Sequence, residues 1–228
     1  KDGYIAGVGH YSAAREKDMS RKTVVPGFMD AHTHLESSMT APSILAPKLL
    51  EHGTTAVIAD PHEIANVCGL EGVRYLMEDS ARTPLDVFFA LPSCVPLSPS
   101  DHNGAVFGAD EIRRLRSDPH VCGLGEVMNA PALAAGDDGL LEKIELMKDK
   151  VIDGHAPGLS GKALQSYRLA GVQTDHECTS WGEALEKLRA GFIVQVREGS
   201  AAKNLRTVLG GALLHDKPVC FLHGRRTS

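Results

Sequence analysis

No uninterrupted apolar run in this sequence approaches the length that a bilayer-spanning helix needs, so no membrane partner is expected. The first residues, Lys1-Asp2-Gly3-Tyr4, do not resemble a secretory signal, which makes the cytoplasm the simplest address. Basic charge is not in surplus: 24 Lys and Arg against 29 Asp and Glu leave a formal net charge of -5, and no Lys/Arg cluster stands out. Such a chain offers no field for a phosphate backbone and is not expected to bind nucleic acid, although a free base stays within reach as a ligand. Cysteine is sparse and odd in number. Cys68, Cys94, Cys122, Cys178 and Cys220 are widely spaced, lie mostly in apolar segments and form no C-x-x-C pair. That argues against a disulfide framework and a cysteine zinc site, and the five are read as reduced core residues. Low-complexity segments and short repeats are absent as well.

What is present is an ordinary globular composition, 43% hydrophobic and 23% charged over 228 residues. The length suits one large domain and falls slightly short of the roughly 250 residues of a complete (β/α)8 barrel. From Thr23 onward, short β-branched or aromatic runs alternate with segments of helical period, the signature of βα units around a parallel sheet. After an opening strand from Val24, strands are predicted at Thr55–Ala59, Val87–Leu91, Val121–Gly125, Lys150–Asp153, Gly171–Thr174, Phe192–Val196 and Val219–Leu222. Eight strands is the number that closes a barrel, so the fold class is α/β with a TIM-type barrel over 23–222. Leu140, Leu141, Ile144 and Met147 share one helical face, as do Leu205, Val208, Leu209, Ala212 and Leu213. Ser180-Trp181-Gly182-Glu183 has capping-box form, and Glu183 with Lys187 makes an i,i+4 pair expected on the exposed side. Residues 1–22 do not share this alternation. Tyr4–Gly9 is predicted as a short strand, the remnant of a small N-terminal β domain.

The chain is organised around Val24-Val25-Pro26-Gly27-Phe28-Met29-Asp30-Ala31-His32-Thr33-His34. In an extended segment alternate side chains share a face, so His32 and His34 converge while Thr33 points away. Paired imidazoles suit a borderline divalent metal such as Zn, Fe or Mn. Other predicted strands also end in ligand-type residues: Asp60-Pro61-His62-Glu63, Gly125-Glu126, Asp153-Gly154-His155 and Asp175-His176-Glu177. A parallel barrel gathers such positions at one mouth. His32, His34, Glu126, His155 and His176 could then hold two divalent ions about 3.5–4 Å apart if Glu126 bridges them. One ion with three or four of these ligands is the alternative.

The stretches VVPGFMDAHTHLESS, HGTTAVIADPHEIANVCGLEG, LPSCVP, GLGEVMN, VIDGHAPGLSGK, TDHECTS and REGSAAKNL resemble the adenine deaminases, a family of the amidohydrolase superfamily, over almost the whole chain. PGFMDAHTH alone would indicate only the superfamily, whereas DPHEIANVCG, GLGEVMN and DGHAPGLSG are much narrower. The resemblance implies a binuclear (β/α)8 barrel, with Mn or Fe ahead of Zn. His32 and His34 match the family's strand-one pair, Glu126 its bridging glutamate, and His155 and His176 its later histidines. The implied reaction is hydrolytic deamination of adenine to hypoxanthine and ammonia, by addition of a metal-bound hydroxide to C6 of the purine. It also implies a homo-oligomer at full length.

Further roles are assigned more loosely. Glu177 could shuttle a proton to a ring nitrogen or support His176. His62 and Glu63 could orient substrate or cap the helix that begins near Ile64, and Arg197, Glu198 and Ser200 follow strand seven and could contact the purine, although Ser200 could equally cap the next helix. Ser93 and Cys94 lie between prolines, where a role in loop shape is expected. One departure from the family stands out. Its catalytic aspartate after strand eight has no counterpart in His223-Gly224-Arg225-Arg226-Thr227-Ser228, an aberrant tail over 223–228. The sequence therefore reads as a fragment truncated at both ends, with the last barrel helix missing. Its activity is expected to be impaired; a non-catalytic fragment, or an amidohydrolase for another amino-purine or a cyclic amide, is the alternative.

Overall fold

In a computed structural model of the protein, residues 4–200, 202–215 and 220–222 are described, with side chains followed as far as 212. Eight strands alternate with helices: β1 (Phe28–Thr33), β2 (Thr54–Ala59), β3 (Asp86–Leu91), β4 (Val121–Val127), β5 (Val151–Gly154), β6 (Thr174–Asp175), β7 (Ile193–Arg197) and β8 (Cys220–Leu222). Between them run α1 (Pro42–Glu51), α2 (His62–Ser80), α3 (Ala109–Leu115), α4 (Ala130–Ala135), α5 (Asp138–Leu146), α6 (Gly161–Leu169), α7 (Trp181–Arg189) and α8 (Leu205–His215). Strands β1 to β5 pair in parallel and in sequence order, as do β6 to β8. Gln173 N–H donates to Ile152 O at 2.9 Å across the junction of the two sheets, and β8 packs beside β1. The order is that of a (β/α)8 barrel. Its strand ladders are divided into five and three among the described residues, a break in the barrel that spacing alone does not predict.

The interior follows from the β-branched and aliphatic runs. Val57, Phe89, Leu91, Leu124, Val127 and Ile152 bury one large core, and Cys178, Ala184, Val194, Val196 and Val208 a smaller one under α7 and α8. Caps set where the helices begin. Asp137 accepts from Leu140 N–H at 2.8 Å before α5, and Ser180 accepts from Glu183 N–H at 3.2 Å before α7. Glycine is required where chains approach most closely: a Cβ at Gly125 would collide with the Asp60 carboxylate, which reaches past it to the backbone of Glu126.

Several local expectations need correction. Residues 4–27 carry no strand, so Tyr4–Gly9 is irregular and exposed; among the described residues no neighbouring strand pairs with it. Strand β1 begins only at Phe28, and Val24, Val25, Phe28 and Met29 are exposed. Leu141 is turned outward on α5, because the stripe of Leu140, Ile144 and Met147 alone fills the space against the sheet. Cys68 is exposed on α2, while Cys94 and Cys178 are buried. The capping box at α7 is shifted: the Glu183 carboxylate accepts from Thr179 N–H rather than from Ser180. The largest correction is Lys187, whose side chain is fully buried rather than solvated. The side chain of Leu213 and the tail at 223–228 lie outside the described residues.

Candidate metal centre

Strand ends bring the predicted residues together as the barrel rule requires. His32, on β1, is buried, and His34 lies just beyond the strand in extended conformation, so both imidazoles face the same way. Their Nε2 atoms are 3.2 Å apart. His34 Nδ1–H donates to the Asp60 carbonyl at 2.9 Å, and His32 Nδ1 lies 2.6 Å from Asp153 Oδ2, where a carboxylate demands a donor. Each Nδ1 therefore carries the proton, and two Nε2 lone pairs would confront one another. A proton or a cation must sit between them. Burial works against protonation of His32, but Asp153, Glu126 and Asp60 together carry its pKa up to about 9.

Glu126, near the end of β4, presents one oxygen to each side. Oε1 lies 3.5 Å from His34 Nε2 and 3.5 Å from His62 Nδ1, while Oε2 lies 2.7 Å from His155 Nδ1 and 3.1 Å from His176 Nε2. Burial pushes its pKa up, yet His155, His176 and His32 outweigh this and hold it well below the usual carboxylate value. His176 is stacked on His32 with ring centroids 4.0 Å apart, and its other nitrogen, Nδ1, is buried without a hydrogen-bond partner. A carboxylate open on both sides, opposed lone pairs and an orphaned imidazole nitrogen are what divalent cations would satisfy, so the donor set fits a metal. His32, His34 and Glu126 form one group of donor atoms within 4.8 Å of one another; Glu126, His155 and His176 form a second.

Two buried carboxylates, read from their spacing only as ligand-type residues, stand behind the histidines. Asp60 is buried; its Oδ2 accepts from Glu126 N–H at 2.8 Å and its Oδ1 lies 3.3 Å from His62 Nδ1. Asp153 orients His32 and accepts in turn from Thr174 Oγ1–H and Gly154 N–H. Both carboxylates stand at strand ends, but one-dimensional spacing does not distinguish a ligand from a residue that orients a ligand. Removing such a partner from a metal-binding histidine typically costs 10–100-fold in metal affinity. Asp153→Asn is accordingly expected to weaken Mn²⁺ binding by roughly that factor, read by titration of the metal-stripped protein; unchanged affinity would remove Asp153 from this role.

The remaining predicted residues divide. His62 belongs to the cluster, with its ring 4.6 Å from that of His34, and it does not cap α2, whose N-cap is Pro61. Burial lowers the His62 pKa, but Asp60 and the other nearby carboxylates raise it to about 9. Glu63 accepts from Ser37 Oγ–H at 2.5 Å. His62 and Glu63 also line a cavity of about 510 Å³ with Asn66, Cys94, Leu97 and Met128. Glu177 Oε1 lies 3.4 Å from His176 Nε2, and Arg197 grips the same carboxylate with two guanidinium nitrogens at 2.7 and 2.9 Å. Ser200 is exposed and lies upstream of α8, which begins at Leu205, so it is not that helix's cap. Glu198 forms an outer pair with Lys203 at 4.0 Å. Ser93 donates to the Glu126 carbonyl at 2.6 Å, and so braces the strand end rather than only shaping a loop.

Comparison with known proteins agrees with this architecture. The chain is 54% identical over 209 residues to an adenine deaminase of Methanoculleus marisnigri, covering 92% of this chain and 40% of that protein. It is 49% identical to one of Archaeoglobus fulgidus and 47% identical to one of Clostridium acetobutylicum, covering 92% and 91% of this chain and 37% of each relative. The chain thus spans about two fifths of the length of these curated relatives or slightly less. Among solved structures, zinc-complexed atrazine chlorohydrolase TrzN of Arthrobacter aurescens superposes with a TM-score of 0.57 at 14% identity, over 88% of this chain and 60% of that one, a likeness of fold. Residues 23–211, the stretch from just before β1 into α8, match the amidohydrolase family, and with the barrel and its strand-end histidines in place the chain belongs to that family.

Proposed function

We propose that this barrel serves the hydrolytic deamination of adenine to hypoxanthine and ammonia, with a pair of divalent cations, Mn or Fe ahead of Zn. The observation that carries the reading is Glu126, whose two oxygens face two separate histidine sets. It stands in a chain 54% identical to a protein named adenine deaminase. His32 and His34 would hold one cation, His155 and His176 the other, with Glu126 shared between them. Divalent cations bound there would supply Lewis acidity and lower the pKa of water enough for attack at neutral pH.

The chain's own residues do the rest. The cavity beside His62 and Glu63 is large enough for a purine and shares His62 with the cluster. Glu177 Oε1, held by Arg197 beside His176, would carry a proton toward a purine ring nitrogen. Arg197 fixes where that carboxylate points. Ser200, at the surface beyond β7, takes the outermost substrate contact in this reading. The partner is a small-molecule purine, the assembly a homo-oligomer at full family length and the location the cytoplasm. No described helix is long and apolar enough to cross a membrane.

At full family length and loaded with Mn²⁺ or Fe²⁺, the protein is expected to shift the ultraviolet spectrum of adenine to that of hypoxanthine and to release ammonia. An unchanged spectrum without ammonia overturns the assignment. In a panel of amino-purines and cyclic amides, preferential turnover of a cyclic amide would replace adenine as substrate while leaving the family intact.

A further inference from the structure

We propose that Lys187 is a positioning residue for the His155/His176 half of the metal centre, acting from α7 through Asp175 on the two loops that carry those histidines. The inference rests on reading the cluster as a two-cation centre.

The Lys187 side chain is fully buried, yet each of its three ammonium protons has an acceptor. Nζ donates to Asp175 Oδ2 at 2.8 Å, to Glu183 Oε1 at 2.8 Å and to the Ala156 carbonyl at 2.6 Å. Ala156 directly follows His155, and Asp175 directly precedes His176. The Asp175 carboxylate, itself fully buried, accepts from Ala156 N–H at 2.8 Å and from Glu177 N–H at 3.1 Å. The peptide units on the far side of both histidines are thereby tied to one ion pair. Glu183 extends the clamp outward: Oε1 also accepts from Gly158 N–H at 2.8 Å, and Oε2 from Thr179 N–H at 3.0 Å. No comparable lysine reaches the His32/His34 half among the described residues, where Asp153 and Asp60 do the orienting.

The geometry separates this role from general packing. Helix α7 would still bury Ala184 against the second core if the cation were lost, but the Ala156 carbonyl would lose its donor and Asp175, which accepts from the loops after β5 and β6, would lose the cation that fixes its carboxylate. Glu126 would then keep His34 on one side while His155 and His176 drift on the other. Outer-sphere partners of metal-binding residues typically control affinity by 10–100-fold, and the loss is expected to fall on one cation only.

The test is Mn²⁺ titration of the metal-stripped protein, with electron paramagnetic resonance to distinguish coupled Mn pairs from isolated ions. Wild type is expected to bind two equivalents and give a coupled signal. In Lys187→Met the first equivalent should bind as before, while the second weakens by roughly 10–100-fold and the signal becomes that of isolated Mn²⁺. The Asp175→Asn/Lys187→Met double variant removes both buried charges, and so keeps the test valid if the single variant fails to fold. It should also lose the second equivalent. Exposed Arg189→Met on the same helix should bind two equivalents normally. Retention of both equivalents and of the coupled signal in the folded double variant, or in a folded Lys187→Met, overturns the proposal. Failure of wild type to bind a second equivalent would overturn the two-cation reading, and this inference with it.

Discussion

Replacing Glu126 with glutamine is expected to reduce Mn²⁺ binding from two equivalents to at most one and, in the protein at full family length, to lower the rate of the proposed adenine deamination by roughly 10³-fold. The substitution keeps the shape and the contact through Oε1 but removes the charge and one acceptor oxygen. Glu126 is buried and is shared by two of the four donor groups found among the described residues, and both of these lose their only carboxylate at once. Its negative charge is also what the surrounding imidazoles lean on: His155 is raised in pKa, against burial, chiefly by Glu126. Metal ions stabilise charge in such transition states by several kcal/mol, and at 1.36 kcal/mol per tenfold about 4 kcal/mol corresponds to the stated factor. Metal analysis together with single-turnover kinetics checks it. A Glu126→Gln protein that retained two tightly bound ions would show that another residue bridges, and Asp60, 2.8 Å from the Glu126 amide, would be the next candidate.

The second large effect is on stability. Lys187→Met leaves the buried carboxylate of Asp175 without its cation, and breaking a buried pair in this way typically costs about 3–5 kcal/mol. Set against total stabilities of about 5–15 kcal/mol for a domain, that is a large share. Burial lowers the Lys187 pKa, but Asp175 and Glu183 more than compensate and leave it above the ordinary value, so the ammonium stays charged in place. Neutralising both partners in Asp175→Asn/Lys187→Met removes the uncompensated charge, and much of the loss should be recovered. Urea unfolding midpoints at constant m-value provide the measurement. A loss below about 1 kcal/mol in the single variant, the scale of an exposed pair, would contradict the burial of this interaction. The comparison also distinguishes folding from metal positioning, because the double variant is expected to regain stability without regaining the second cation.

Much of this molecule follows from short-range pattern. Hydrophobic runs bounded by glycine and by helical stripes located all eight strands to within a few residues, since strand and helix periods are local properties of the chain. The strand-end rule then placed His32, His34, Glu126, His155 and His176 at one mouth, because a parallel barrel leaves its C-terminal strand ends nowhere else to go. Where local pattern had no partner to act on, it failed. Tyr4–Gly9 has strand composition, but a strand needs a neighbour.

Which polar residues meet was settled by the folded chain alone. His32 with Asp153, Asp60 with Glu126, and Glu177 with Arg197 are far apart in sequence, and their hydrogen bonds exist only once the sheet has brought different strand ends side by side. Lys187 makes the same point most sharply. Its i,i+4 spacing from Glu183 is indistinguishable from that of a solvated helical pair, and the two do touch at 2.8 Å. Whether such a pair faces water or the interior depends on which acceptors the neighbouring loops present, here the Asp175 carboxylate and the Ala156 carbonyl. The sequence determined the barrel and the inventory of its mouth; packing determined which of those side chains face the candidate metals and which hold the others in place, because burial and hydrogen-bond partnership are properties of assembled surfaces rather than of the chain.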